Sequence, residues 1–120
     1  MRGEYSITRP GHYALVYEQG NTWRCKLLVM KSLPNGLAIS RYGFTVSRRV
    51  GKAVVRNRVR RLMREIMRVF TLKPGWDVVF IARPVAATAD YKTLRQSVGQ
   101  LLSRARLLVE ENEEVCFSGD

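Results

Sequence analysis

The chain has few residues of the kinds that build metal and redox sites. Its 120 residues include one histidine, His12, and two cysteines, Cys25 and Cys116, which lie far apart and form no CxxC pair. A recognisable zinc site needs closely spaced Cys and His ligands, so that class is excluded. Two isolated thiols are typical of a reducing compartment. We therefore expect a cytoplasmic protein with reduced cysteines and no metal site of its own.

Acidic residues are equally scarce outside the C-terminal tail. Ahead of the tail the chain has only five, which are scattered over different predicted elements: Glu4, Glu18, Glu65, Asp77 and Asp90. A nuclease that works by itself needs converging acids for metal ions, or a histidine-based acid/base pair. The GxxxxGK[ST] phosphate loop is also missing. The polypeptide is therefore expected to have no active site and no catalytic residue.

Long apolar runs are missing as well. No run of 18 apolar residues is present, which excludes a predicted membrane span, and the N-terminus has no apolar signal core. At 46% hydrophobic and 26% charged residues, the chain has enough apolar material for the core of one domain. We expect a flexible N-terminus at 1–9, one folded domain at 10–111 and a flexible acidic tail at 112–120.

Positive charge is abundant and concentrated in one stretch. Residues 41–68 hold ten Lys and Arg against one acid, a net charge of +9 out of +11 for the whole chain. Such a concentration costs self-repulsion, and a polyanionic partner explains it best. The partner classes are nucleic acid and an anionic membrane.

Hydrophobic periodicity and turn residues predict the order α-β-β-α-β-α. A helix over 12–19 begins near Thr8 and Pro10, and the turn residues Pro34-Asn35-Gly36 indicate a hairpin. The remaining elements are strands over 23–33, 37–47 and 76–82 and helices over 54–70 and 89–111. This pattern predicts an α+β fold, a two-layer sandwich of one small sheet with helices against it.

The second predicted helix has two chemically distinct faces. At 100° per residue its apolar side chains cluster within about 120° of arc. The other side carries Arg56, Asn57, Arg58, Arg60, Arg61, Arg64 and Arg68. Arginine forms forked bonds with phosphate and stacks on bases, so an arginine face favours RNA more than a lysine face would.

The stretch from Phe44 to Glu65, FTVSRRVGKAVVRNRVRRLMRE, closely resembles the signature of the bacterial ribonuclease P protein subunit. The resemblance extends over 7–108. It implies an α-β-β-α-β-α fold like domain two of a small-subunit ribosomal protein, with a left-handed β-α-β crossover. It also implies an accessory subunit of a ribonucleoprotein endonuclease that removes the 5′ leader from precursor tRNA. The RNA subunit would be the catalyst and would hold the Mg²⁺ ions.

The resemblance also implies two binding surfaces. Residues that match the part of the family contacting the catalytic RNA are Arg48, Arg49, Lys52, Arg56, Asn57, Arg58, Arg60, Arg61, Arg64 and Arg68. Residues that match the cleft for the single-stranded leader of precursor tRNA are Tyr13, Tyr17, Met30, Thr45 and Ser47. A pair of aromatic rings beside a basic groove suits a single strand bound with little sequence preference.

Three other interpretations of the charge remain at this point. A structural RNA-binding protein, such as a ribosomal or assembly factor, explains the charge equally well but not the long signature. A membrane-surface helix is disfavoured because the sheet needs the apolar face of the second helix. A DNA-reading helix is disfavoured because no helix-turn-helix spacing is present. We therefore expect neither membrane nor DNA as a partner.

Overall fold

The computed structural model describes residues 6–7 and 9–109. Its helices are α1 (Pro10–Gln19), α2 (Ala53–Met67) and α3 (Tyr91–Arg104), with a short 3-10 helix at Pro84–Thr88. Its strands are β1 (Asn21–Arg24), β2 (Leu28–Pro34), β3 (Arg41–Thr45) and β4 (Trp76–Ala82). The α+β class is confirmed, with one strand more than the predicted order. None of these helices is long and apolar enough to cross a membrane.

The extra strand arises because the predicted long first strand is two strands. β1 and β2 pair antiparallel, with Trp23 opposite Met30, and the amide of Cys25 donates to the Leu28 carbonyl across the turn at 2.9 Å. The apolar-rich run from Leu27 to Met30, between Lys26 and Lys31, does not indicate this reversal.

The sheet order is β1-β2-β4-β3, so β4 lies between the two strands that were predicted to form a hairpin. The hairpin prediction at Pro34-Asn35-Gly36 is therefore wrong. Asn35 instead organises a loop: its Oδ1 accepts from the Leu37 amide at 2.7 Å, and its Nδ2 donates to Asp77 Oδ1 at 2.9 Å. β3 pairs parallel with β4, and α2 is the crossover that a parallel pair requires.

The two faces of the sheet are covered unequally. One face packs against α2 and α3 in the main core, where Leu28, Met30, Val78 and Phe80 are fully buried. The other face carries a smaller cluster built on Val16 of α1. Because α1 is short, it leaves part of this second face uncovered, next to β3.

The amphipathic pattern of α2 is confirmed. Its buried side chains are Val59, Leu62, Met63, Ile66 and Met67, and each contributes about 1.5–3 kcal/mol by leaving water. The helix ends at Met67 rather than at residue 70. Val69, which falls inside the predicted helix, lies beyond its actual end and is 46% exposed.

Packing at the N-terminal end of the described chain includes Ile7, and the end of α3 differs from the prediction. Ile7 is buried and its amide donates to the Tyr42 carbonyl at 2.9 Å, so ordered packing begins before residue 10. At the other end α3 stops at Arg104, not at residue 111. Arg106 has a φ of 59°, and the Leu107 amide donates to the Leu102 carbonyl, which is a Schellman ending. Predictions for 1–5, Thr8 and the acidic tail lie outside the described residues.

Candidate nucleic-acid interface

Tyr13 and Tyr17 lie on the same side of α1, as their spacing predicted. Their ring centroids are 6.5 Å apart and the rings are tilted by 58°. The Tyr17 hydroxyl is hydrogen-bonded to the Thr45 hydroxyl of β3. Two of the predicted cleft residues are therefore in direct contact, and Tyr17 keeps an exposed ring face.

A glycine on β3 permits the close approach of Tyr13. Gly43 faces α1, whereas its neighbours Tyr42 and Phe44 pack against the main core. A Cβ placed at Gly43 would lie 2.7 Å from Tyr13 Cζ and 3.0 Å from Tyr13 Cε1, closer than real Cβ contacts allow. The side of β3 that carries Gly43 is therefore the floor beneath the Tyr13 ring.

The environment of Tyr13 also affects its acidity. Burial raises the pKa of its hydroxyl above the usual tyrosine value, and the neighbouring Tyr17 raises it further, while a hydrogen bond with the Phe44 backbone acts in the opposite direction. A tyrosine hydroxyl is already neutral at physiological pH, and the raised pKa keeps Tyr13 neutral to a higher pH. It presents a ring and a polar hydroxyl without a negative charge that would repel phosphate.

A cleft of about 230 Å³ opens along β3, which is an edge strand. Its lining residues are Ser6, Ile7, Tyr13, Tyr42, Gly43, Phe44, Arg60, Arg64 and Arg68. The three arginines lie at intervals of four residues, two on α2 and Arg68 at its C-cap, so they form one stripe about 12 Å long. We call this concavity the β3-edge cleft. It joins a tyrosine from one predicted surface to arginines from the other.

Half-buried arginines of α2 bind the protein itself. Arg56 donates Nε to the Gly51 carbonyl at 3.1 Å. Arg58 donates to two carbonyls near the 3-10 helix, those of Ala87 at 3.3 Å and Ala89 at 2.9 Å. Arg60 donates to Asn57 Oδ1 at 3.1 Å, so the amide of Asn57 orients this arginine. These contacts fix α2 and the loop before it, in addition to any contact with RNA.

A second group of basic residues points into solvent. Among the residues that the structure describes, these side chains have no hydrogen bond and no ion pair: Arg48, Arg49, Lys52, Arg61, Arg64 and Arg68. The first turn of α2 carries no acid, and Lys52 at its N-cap forms no capping bond. Three of these cations, Arg48, Arg49 and Lys52, therefore lie next to backbone N–H groups without a side-chain cap at the start of this helix, an arrangement that favours phosphate.

Arg41 belongs to neither group. It forms a two-point ion pair with Asp77 on the adjacent strand, at 2.9 Å from Nε and 2.7 Å from Nη2. The hydrogen bond with Asp77 raises the pKa of Arg41 further above its ordinary value. Its charge, which the sequence count assigned to the basic surface, is therefore neutralised inside the fold.

The prediction that Met30 lines the cleft is wrong. Met30 is 0% exposed and packs in the main core beneath α2 and α3. Strand alternation instead places Val29 and Lys31 on the opposite face of β2, the α1 side of the sheet, where Lys31 Nζ donates to the Thr22 hydroxyl at 2.7 Å.

Ser47, the remaining cleft prediction, is exposed in the loop between β3 and α2, where its hydroxyl accepts from the Arg49 amide at 3.3 Å. It lies just beyond the end of β3 at Thr45. Within 6–7 and 9–109, no three His, Cys, Asp or Glu side chains converge as a metal site would require.

Comparison with known proteins gives a consistent result. Residues 1–106 match the family model described as Ribonuclease P. The chain is 43% identical over its full length to the "Ribonuclease P protein component" of Dehalococcoides mccartyi, with all of both chains covered. It is 45% identical to the component of the same name from Caldanaerobacter subterraneus, with 88% of this chain and 92% of the relative covered.

Solved structures agree with the sequence relatives. An RNase P protein mutant from Staphylococcus aureus superposes with a TM-score of 0.84 at 25% identity, covering 90% of this chain and 93% of that one. The RNase P protein from Thermotoga maritima gives a TM-score of 0.76 at 30% identity, covering 82% and 96%. The resemblance seen in the sequence is thereby confirmed, and the chain belongs to the ribonuclease P protein component family.

Proposed function

We propose that the protein binds the catalytic RNA of ribonuclease P and the 5′ leader of precursor tRNA on one continuous surface around β3. Membership of the family makes the chain a protein component of ribonuclease P, a nuclease of tRNA 5′ processing. The observation that supports the shared surface is the β3-edge cleft, where Tyr13 faces Arg60, Arg64 and Arg68.

The chemistry of the cleft suits a single strand. Stacking a base on an aromatic side chain contributes about 1–3 kcal/mol and tolerates any base, because every base has a π face. The arginine stripe on the opposite wall can follow the phosphates of the same strand. Tyr17 extends the aromatic wall beyond Tyr13, with its hydroxyl held by Thr45.

The catalytic RNA would bind beside the leader, at the start of α2. There the solvent-directed cations Arg48, Arg49 and Lys52 lie next to a helix N-terminus that lacks an acid or a side-chain cap, and Arg61 extends the basic surface about two turns along α2. Arg56 and Arg58 would contribute by holding the loop and α2 in place. RNA is the polyanion that this surface fits, and neither DNA nor a membrane is part of the proposal.

Catalysis is assigned to the RNA subunit, and Mg²⁺ would be held mainly by that RNA. The acids of the described residues support this assignment because they are already in use or are isolated. Asp77 pairs with Arg41 and Asp90 caps α3 through the Thr93 amide, whereas Glu18 and Glu65 are exposed on different helices. The protein would thus act in the cytoplasm, where tRNA precursors are processed, as an accessory subunit without its own active site.

The test is cleavage of a precursor tRNA by a bacterial ribonuclease P RNA at low Mg²⁺, with and without the protein. A protein-only reaction is included. We expect cleavage only when RNA and protein are both present. Tight RNA binding without stimulation would indicate a structural RNA-binding protein instead, and cleavage by the protein alone would overturn the assignment of catalysis to RNA.

A matched pair of variants tests the leader surface. Tyr17→Ala should weaken binding of precursor tRNA more than binding of mature tRNA, because only the precursor has a leader to stack. Leu15→Ala is the control, since Leu15 is on the same helix and similarly exposed, at 44% against 39%. An equal loss for both substrates would remove Tyr17 from the leader site.

A further inference from the structure

A second concavity lies at the end of α2, next to the β3-edge cleft. Its volume is about 370 Å³, and its walls are mostly apolar: Ile39, Tyr42, Met67, Phe70, Leu72 and Pro74. We call it the α2-end groove. Arg68 lines both the groove and the β3-edge cleft, so an occupant of one can reach the other.

The chain itself leads from the end of the described residues toward this groove. After α3 it turns back, and Leu108 forms an antiparallel bridge with Leu72. The Val109 amide then donates to the carbonyl of Thr71, a groove residue, at 3.1 Å. Because the pairing is antiparallel, a continuation of it would take the chain past Phe70 and toward Arg68.

The sequence that follows Val109 is complementary in charge and hydrophobicity to the arginines and the apolar α2-end groove. Residues 110–120 are EENEEVCFSGD, with four glutamates in the first five positions and one aromatic side chain, Phe117. Five extended residues span up to about 17 Å. That length exceeds the roughly 12 Å of helix between Arg68 and Arg60. Both arginines at the near end of this stripe, Arg64 and Arg68, have no side-chain partner among the described residues.

We propose that the segment 110–120 docks at the α2-end groove, with its glutamates on Arg68 and Arg64, and competes with RNA phosphates for these arginines. The groove supplies an apolar surface for Phe117, including the exposed edge formed by Ile39. The competition rests on the proposed RNA-binding function, but the docking does not. An effect of about three- to tenfold on RNA affinity is expected at low salt, since RNA binding is reduced by the fraction of docked protein.

Docking is tested first, without RNA. In a full-length Cys25→Ser protein, Cys116 is the one remaining thiol and can carry a nitroxide. Docking should broaden the amide signals of Ile39 and Phe70, and should leave Trp23, on the opposite edge strand, unaffected. The native amide spectrum provides the check that the variant is folded. Equal broadening at Ile39 and Trp23 would overturn the docking.

Competition is tested with a single-stranded leader RNA at several salt concentrations. Replacing Glu110, Glu111, Glu113 and Glu114 by Gln should raise affinity about three- to tenfold at low salt, and the gain should shrink as salt screens the carboxylates. Phe117→Ser changes no charge, so it separates docking from long-range repulsion and should also raise affinity. Ser118→Ala is its control.

The outcomes separate the two proposals. If the full chain binds RNA and neither the glutamine variant nor Phe117→Ser changes its affinity, the competition is overturned and the RNA-binding function stands. If no variant binds RNA although Ile39 is broadened, the RNA-binding function and the competition fall together, and docking is supported. A gain from the glutamines alone would indicate repulsion at a distance and overturn the docked competition.

Discussion

Arg58 and Arg61 are both arginines of the same helix, and the structure predicts opposite consequences for their removal. Arg58 donates to the carbonyls of Ala87 and Ala89, at 3.3 and 2.9 Å, and so ties α2 to the segment before α3. A hydrogen bond to a charged group contributes about 1.5–3 kcal/mol, and one of these two is long. Arg58→Ala should therefore lower the free energy of unfolding by about 2 kcal/mol.

Arg61 is the matched control because it is exposed and has no side-chain partner within the described part of the chain. Arg61→Ala should change stability by less than about 0.5 kcal/mol. It should nevertheless reduce the salt dependence of RNA binding by roughly 0.7–0.9 in log–log slope, the value of one phosphate contact. Urea unfolding and salt-dependent RNA binding, measured on both variants, test the pair. If the two variants had the same stability and the same loss of salt dependence, the division of the arginines into two groups would be refuted.

Three further perturbations test the interior of the site. Gly43→Ala should lower the free energy of unfolding by about 1–3 kcal/mol, because its Cβ displaces the Tyr13 ring. In a Tyr13→Ala background this loss should nearly vanish. If the two losses were additive in urea unfolding, the contact between Gly43 and Tyr13 would be contradicted. Asp77→Asn should lower the free energy of unfolding by about 3 kcal/mol, since it leaves the partly buried Arg41 without a countercharge. A loss no larger than that caused by Glu18→Gln, at an exposed position, would contradict the importance of this ion pair. Folding raises the pKa of Tyr13, so its contribution to stability should be intact below the ordinary tyrosine pKa of about 10 and lost as pH rises above it; Tyr13→Phe should remove this dependence in unfolding measured from pH 8 upward.

Features with a local cause could be predicted from the sequence. The 3.6-residue period fixed which side of α2 is buried, because the apolar residues of an amphipathic helix must all face the same core. The continuous apolar run of β4 likewise identified a strand with both faces covered. The sequence offers Thr88 or Asp90 as the cap of the last helix, and the Asp90 side chain is the one that accepts from the Thr93 amide, at 2.9 Å. Here short-range physics and the final fold agree.

Strand order could not be predicted in this way, because it depends on contacts between distant residues. Pro34-Asn35-Gly36 has the composition of a hairpin turn, and Gly36 does adopt a positive φ of 72°. The turn is present, but the chain leaves it along a loop that Asn35 attaches to Asp77, a residue 42 positions away. A pattern of neighbouring residues cannot indicate a contact between residues so far apart in the chain. The same limit explains the wrong prediction for Met30. In the apolar run from Leu27, the residue types do not show which side chains of β2 face the core and which face α1.

The observed strand order also explains why residues from the two predicted surfaces, the aromatic cleft and the arginine face, line the same β3-edge cleft. If β3 had paired with β2 as a hairpin, the position of β3 at the edge of the sheet next to α2 would not follow. With β4 inside, β3 becomes the edge strand, and its parallel pairing forces the crossover through α2. The edge of β3 is then bounded by Tyr13 on one side and by the arginine stripe on the other. A polyanionic strand that enters this edge meets stacking and charge together, which neither the aromatic pair nor the arginine helix offers alone.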